Sequence, residues 1–99
     1  MIVAFSVSPS GGDPDGGVSE AVARAVKVVR DSGLPNSTNA MFTNVEGSWD
    51  EVMDVVKRAV EAAGEGAARV SLVLKADIRP GFDSGQLEAK VERLEEHLR

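Results

Sequence analysis

The chain has 99 residues, of which 42% are hydrophobic, with 11 basic and 16 acidic side chains and a net charge of −5. This length predicts one domain over residues 1–99, and the acidic balance disfavours nucleic acid and anionic membrane surfaces as partners. Cysteine is absent and His97 is the single histidine, so neither a thiolate nor a histidine-cluster metal site is expected, and no cofactor is predicted. Because the first residues form neither a basic leader nor a long apolar span, a cytoplasmic protein is expected.

The first two predicted elements are a strand and a helix. Residues 2–8 alternate β-branched or aromatic side chains with small ones, which predicts a strand. Residues 10–17 are rich in glycine and aspartate and predict a solvated loop, because they lack the Gly-Lys-Ser/Thr sequence of a phosphate-binding loop. Ser19 is the predicted N-cap of a helix over residues 19–32, and Gly33 ends that helix.

The middle of the chain predicts a hairpin followed by a second helix. Residues 36–45 suit two short strands, although no Asn-Gly or Asp-Gly pair fixes the turn between them. Gly47 allows a tight turn, and Ser48 with Glu51 three residues later forms a capping box. A strand therefore ends here and a helix begins, with Trp49 at its first position.

The last two elements are a strand and a third helix. Residues 69–78 alternate apolar and polar side chains, which predicts a strand that is buried on one face. Ser84 is predicted to cap a final helix with a narrow apolar stripe at nearly coiled-coil spacing. The stripe consists of Leu87, Val91, Leu94 and Leu98. Such a helix packs either on its own sheet or on a second subunit.

The resulting order, β-α-β-β-α-β-α, predicts an α+β, ferredoxin-like sandwich with an added C-terminal helix. Both crossover helices cover one face of the sheet and leave the other face open. The predicted residues of this open face are Ser6, Ser8, Ser71, Val73, Lys75 and Asp77. So few charges on an open face predict a partner, such as a second sheet or a polar ligand.

Several segments resemble the small YkoF-like thiamine-binding protein family. The most specific segment is residues 45–53, where the strand end, the capping box and the tryptophan occur together. The other matching segments are residues 32–34, 41–43, 69–70, 75–79 and 88–92. Phe42 stands where the family commonly has glycine, so its ring either stacks on a ligand or fills the ligand's place.

The resemblance implies a ferredoxin-like fold and assembly into dimers or tetramers through the sheets. It also implies binding of thiamine or its hydroxymethylpyrimidine part without catalysis, and therefore a role in vitamin handling. Two alternatives remain: an oligomeric ferredoxin-like regulatory module that senses another small molecule, and an enzyme of unknown reaction.

Thiamine combines an aminopyrimidine, which needs directed hydrogen bonds and an apolar surface, with a cationic thiazolium ring that suits carboxylates and ring faces. Side chains of these types occur on the hairpin and the open face. The predicted ligand-binding residues are Ser6, Ser8, Asn39, Met41, Phe42, Thr43 and Asp77. Each also has an ordinary structural use in a strand or core. Trp49 is predicted to be a packing anchor between helix and sheet.

Overall fold

The computed structural model describes residues 1–12 and 18–99. Its elements are β1 (Ile2–Ser10), α1 (Val18–Asp31), β2 (Asn36–Thr38), β3 (Thr43–Glu46), α2 (Trp49–Ala63), β4 (Arg69–Asp77) and α3 (Gln86–Leu98). The predicted order of elements is therefore confirmed, and the first helix begins one residue before its predicted N-cap. The part of the predicted glycine-rich loop at residues 13–17 lies outside the described residues.

The sheet confirms the ferredoxin-like arrangement. Its strand order is β2-β3-β1-β4, and each neighbouring pair is antiparallel. The β1-α1-β2 unit therefore crosses over β3, and the β3-α2-β4 unit crosses over β1, which is the split arrangement expected from the sequence. The loop Asn39–Phe42 forms the hairpin turn whose position the sequence left open, since Thr38 pairs with Thr43.

The core lies between one face of the sheet and the two crossover helices. Val3 and Phe5 of β1 and Val45 of β3 are buried on this face, against residues of α1 and α2 such as Val29 and Val52. Strand side chains alternate between faces, so the intervening residues of β1 lie on the opposite, open face. The register places Ser6 beside Val73 and Ser8 beside Ser71 there, as predicted.

The predicted capping box at the start of α2 is present. The Glu51 backbone N–H donates to Ser48 Oγ at 3.3 Å, and the Ser48 backbone N–H donates to Glu51 Oε1 at 3.1 Å. The anchor prediction for Trp49 is wrong, because this side chain is 57% exposed. The apolar contact begins one turn later, at the fully buried Val52, so the tryptophan ring extends beyond the edge of the core.

The third helix lies on the open face of its own sheet, and its predicted cap is wrong. The N-cap residue of α3 is Gly85, which has a φ of 75° and no side chain that could cap the helix. Instead Glu46 of β3, which is fully buried, accepts hydrogen bonds from the backbone N–H groups of Gln86 at 2.9 Å and Leu87 at 3.2 Å. A carboxylate at this place also complements the positive end of the helix dipole.

Candidate functional site

A pocket of about 230 Å³ lies between α1, the middle of β1 and the β2–β3 hairpin. Ser6, Asn39, Met41, Phe42 and Thr43, five of the seven predicted ligand-binding residues, line it. Its floor and inner wall are apolar side chains of β1 and α1, including Phe5, Val7, Val22 and Val26. The structure thus brings together most of the predicted site in one concave place.

The pocket exists because β1 has partners of unequal length. Its pairing with β4 runs along the whole strand, from Ile2 to Ser10, whereas its pairing with β3 stops at Phe5. Beyond Phe5, the edge of β1 that faces away from β4 meets the hairpin loop and α1. Ser6 lies at this edge, and by strand alternation its side chain belongs to the open face.

Asn39 shapes the loop that forms one wall of the pocket. Its Oδ1 accepts hydrogen bonds from the backbone N–H groups of Met41 and Phe42, both at 2.9 Å, and its own backbone N–H donates to the Phe42 carbonyl at 3.0 Å. The carboxamide oxygen is therefore committed to the turn. The Nδ2 group makes no hydrogen bond with the rest of the described chain, so it is the part of Asn39 that can donate to a ligand.

The two large side chains of the loop differ in exposure. Met41 is 73% exposed and Phe42 is half-buried. A methionine exposed at a loop tip contributes little to the core, whereas its thioether suits contact with an aromatic ligand ring. Thr43 is 93% buried on the core face, opposite Phe5, and it lines the pocket from within the sheet.

The site is electrically neutral within the described residues. None of the side chains that line the pocket carries a formal charge. A pocket of this kind favours an uncharged heterocycle with a few hydrogen-bonding groups, because burying an ion without a partner is costly.

The other two predicted residues lie elsewhere. Ser8 is exposed on the open face. Asp77 lies at the opposite end of β1, beside Ile2, where it forms an ion pair with Lys90 of α3. The hydrogen bond from Lys90 is the main reason why the pKa of Asp77 is below its ordinary value of 3.8. The structure therefore separates these two residues from the hairpin pocket.

Val22 and Val26 are among the pocket residues that the sequence did not indicate. Both belong to the apolar stripe of α1, which is typical of core packing, yet Val22 is 36% exposed. Periodicity places them on the right face of the helix. It does not reveal that the pairing of β3 with β1 beneath them ends at Phe5.

Two further findings concern the residues that the structure describes. Within residues 1–12 and 18–99, no group of three or more histidine, cysteine, aspartate or glutamate side chains is placed to share a metal ion. Among the same residues, no helix combines the length and apolarity that crossing a membrane requires.

Comparison with known proteins gives a consistent result. A family model described as "Thiamine-binding protein" matches residues 3–95. UPF0045 protein Mb1933 of Mycobacterium bovis is 54% identical over 99 residues, a match that covers 99% of this chain and 94% of the relative. UPF0045 protein MT1949 of Mycobacterium tuberculosis matches with the same identity and coverage.

Solved structures share the fold. A domain of unknown function, DUF77, from Bacillus cereus has a TM-score of 0.77 at 35% identity, covering 88% of this chain and 83% of that one. A Thermotoga maritima protein, described as a candidate thiamine biosynthesis/salvage protein, has a TM-score of 0.72 at 28% identity and covers 95% of this chain and 99% of its own.

Proposed function

We propose that this chain, which belongs to the thiamine-binding protein family, binds thiamine or its hydroxymethylpyrimidine moiety without catalysing a reaction. In this proposal it acts as a single ferredoxin-like domain in vitamin handling. The observation that carries the proposal is the convergence of Asn39, Met41, Phe42 and Thr43 on one neutral pocket, with Ser6 at its edge.

The pocket suits the pyrimidine end of the vitamin better than the thiazolium end. Its volume of about 230 Å³ is below the usual range for drug-sized ligands, about 300–1,000 Å³, and suits one ring with its substituents. The aminopyrimidine can accept a hydrogen bond from Asn39 Nδ2 and exchange hydrogen bonds with the Thr43 hydroxyl. A cationic thiazolium would then extend toward solvent past Met41.

Phe42 is proposed to contact the ligand. The sequence left open whether its ring stacks on the ligand or fills the pocket. Because the pocket remains open with Phe42 as one of its walls, stacking is the better proposal. Aromatic stacking contributes about 0.5–1.5 kcal/mol beyond the burial of area.

We also propose that the chain forms a dimer or tetramer through its sheet. The open face carries a mixture of small, apolar and polar side chains, and Val73 in its middle is 57% exposed. The third helix, α3, adds further exposed apolar side chains, including Val91 and Leu94. Light scattering coupled to size-exclusion chromatography tests this assembly, and a strict monomer at all concentrations would contradict it.

Calorimetric titration with hydroxymethylpyrimidine and with thiamine tests the binding proposal. We expect both to bind, and Met41→Ala to weaken binding about two- to tenfold, since a sulfur–aromatic contact contributes about 0.3–1.5 kcal/mol. Leu98→Ala is the matched control, because Leu98 is 72% exposed and Met41 is 73% exposed.

Two results would contradict this proposal. One is the absence of heat and of a thermal shift with either compound at millimolar concentration. The other is equal affinity in the wild type, Met41→Ala and Leu98→Ala proteins, which would place the ligand away from the hairpin.

A further inference from the structure

The carboxamide group of Asn39 has a defined orientation in the hairpin loop. Its Oδ1 accepts hydrogen bonds from the backbone N–H groups of Met41 and Phe42, both at 2.9 Å. If the amide were turned over, its Nδ2 group would face these two donors and both hydrogen bonds would be lost. The turn therefore holds the amide in one orientation, with Nδ2 as the end that is free for a ligand.

Asn39 differs in this respect from the other hydrogen-bonding side chains of the hairpin pocket. Those of Ser6, Thr38 and Thr43 are hydroxyl groups, and a hydroxyl group rotates so that it either donates or accepts a hydrogen bond. The NH₂ group of an asparagine only donates. Among the described side chains that line the pocket, Asn39 is thus the one whose hydrogen-bonding role is fixed before a ligand arrives.

A fixed donor distinguishes two forms of a pyrimidine ring. In an aminopyrimidine, the ring nitrogen beside the amino group has a free lone pair and accepts a hydrogen bond. In the oxo analogue a carbonyl group replaces the amino group, and that ring nitrogen carries a hydrogen atom. The two rings have nearly the same size and are uncharged at pH 7.5, so the volume of about 230 Å³ and the neutral lining of the pocket do not separate them.

We propose that Asn39 is a specificity-determining residue of the hairpin pocket, and that its Nδ2 group selects aminopyrimidines over oxopyrimidines by donating to the ring nitrogen beside the amino group. With the oxo analogue, the Nδ2 donor faces a ring N–H donor, and both lack an acceptor at this contact. This inference rests on the proposed function, since it names the class of pyrimidine that the same pocket accepts.

The expected discrimination is moderate because Asn39 is exposed at the rim of the pocket. A buried site that is built to hydrogen-bond one group of its substrate rejects the wrong analogue by a factor of about 10⁴–10⁵. At the rim, water reaches the unpaired donor and recovers part of this loss. We therefore expect the aminopyrimidine to bind about 10- to 100-fold more tightly than the oxo analogue.

The test is a calorimetric titration of the full chain at pH 7.5 with hydroxymethylpyrimidine and with its oxo analogue. Wild type is expected to prefer hydroxymethylpyrimidine. Asn39→Asp replaces the NH₂ group with a carboxylate oxygen and keeps an oxygen for the N–H groups of Met41 and Phe42, so the turn is expected to remain. The new oxygen accepts from the ring N–H of the oxo analogue and repels the lone pair of the aminopyrimidine.

The preference of Asn39→Asp is therefore expected to reverse. A gain in affinity for the oxo analogue is a readout that loss of folding cannot produce. Asn44→Asp is the matched control, because it makes the same charge change on the neighbouring strand β3. Asn44 Nδ2 donates to Ser37 Oγ at 3.3 Å, and Asn44 is not among the described residues that line the pocket. This variant is expected to retain the wild-type preference.

The outcomes separate this inference from the function on which it rests. If wild type binds both compounds with equal affinity, Asn39 does not select between them, while binding of a pyrimidine stands. The inference is also wrong if Asn39→Asp prefers hydroxymethylpyrimidine as strongly as Asn44→Asp does. If neither compound binds to wild type, the inference and the proposed function are both wrong.

Discussion

Replacing Glu46 with glutamine tests how α3 is attached to the sheet. The two Glu46 carboxylate oxygens accept hydrogen bonds from the backbone N–H groups of Gln86 and Leu87, at 2.9 and 3.2 Å. In Glu46→Gln one of these oxygens becomes an NH₂ group, which cannot accept and faces another donor. One hydrogen bond is therefore lost and one backbone N–H group is left without a partner.

The magnitude follows from that count. A donor left unpaired in a partly buried place costs about 1–3 kcal/mol. Because α3 contributes no buried residue to the core, the cost is expected in the local detachment of α3 and only weakly in global unfolding. Each 1.4 kcal/mol changes the population of the state with α3 detached tenfold, so amide hydrogen exchange in α3 is expected to accelerate about five- to 150-fold.

Hydrogen exchange measured by mass spectrometry distinguishes α3 from the core. Peptides from α3 are expected to exchange faster in Glu46→Gln, while peptides from α2 keep their wild-type rates. Glu88→Gln is the control, because Glu88 is exposed in the first turn of the same helix and its charge interacts with the helix dipole alone. Its expected cost of about 0.3–1 kcal/mol corresponds to at most about a fivefold acceleration.

Two results would refute this reasoning. If exchange in α3 is no faster in Glu46→Gln than in Glu88→Gln, the buried carboxylate does not hold the helix. If α2 accelerates as much as α3, the helix is part of the global folding unit and does not detach locally.

Four further predictions concern the helix ends and the ion pair on the open face. Gly33 has a φ of 79°, and a Cβ added there would meet no atom within 4 Å, so the cost of a side chain is backbone strain alone. Gly33→Ala is therefore expected to lower the free energy of unfolding by about 1 kcal/mol, and Gly33→Asn to lower it by less. Urea denaturation measures both changes. Ser48→Ala is expected to cost about 1 kcal/mol, again by urea denaturation. A hydrogen bond from the Ser48 backbone N–H lowers the pKa of the Glu51 carboxyl below 4.5 in the folded state. The ionised carboxylate therefore stabilises the fold above pH 4.5, and this stabilisation is lost as the pH falls through the lowered pKa of the folded state. Glu51→Gln is expected to make the urea midpoint less dependent on pH in this range. Lys90→Met is expected to raise the pKa of the Asp77 carboxyl toward 3.8, as followed by carbon NMR, and an unchanged value would argue against the ion pair.

The sequence predicted the elements whose signals are local. The capping box of Ser48 and Glu51 requires residues three apart, Gly33 ends a helix by its own conformational freedom, and the alternation along residues 69–78 marks a strand with one buried face. Each signal lies within a few residues of the feature that it specifies. The capping box, the helix end and the strand were confirmed. The predicted buried face of the strand was wrong, because every residue of β4 is at least partly exposed and Leu72 is 43% exposed.

The cap of α3 shows what a local pattern misses. Ser84 stands at a plausible capping position, yet the carboxylate that satisfies the helix start comes from Glu46, 40 residues earlier in the chain. This contact depends on β3 lying inside the sheet and on α3 folding back over the open face. The spacing of residues along the chain therefore does not predict the contact between Glu46 and the start of α3. The exposure of Trp49 has a similar cause, because the extent of the core beneath a helix start is a tertiary property.

The candidate pocket was predicted in its residue types and only partly in its location. The hairpin residues Asn39 to Thr43 are close together in sequence, so they would share any site that the hairpin formed. The contribution of Val22 and Val26 depends on β3 leaving β1 after Phe5, which is a matter of register. Asp77 belongs to the same strand face as Ser6, but the nine-residue length of β4 places it at the far end.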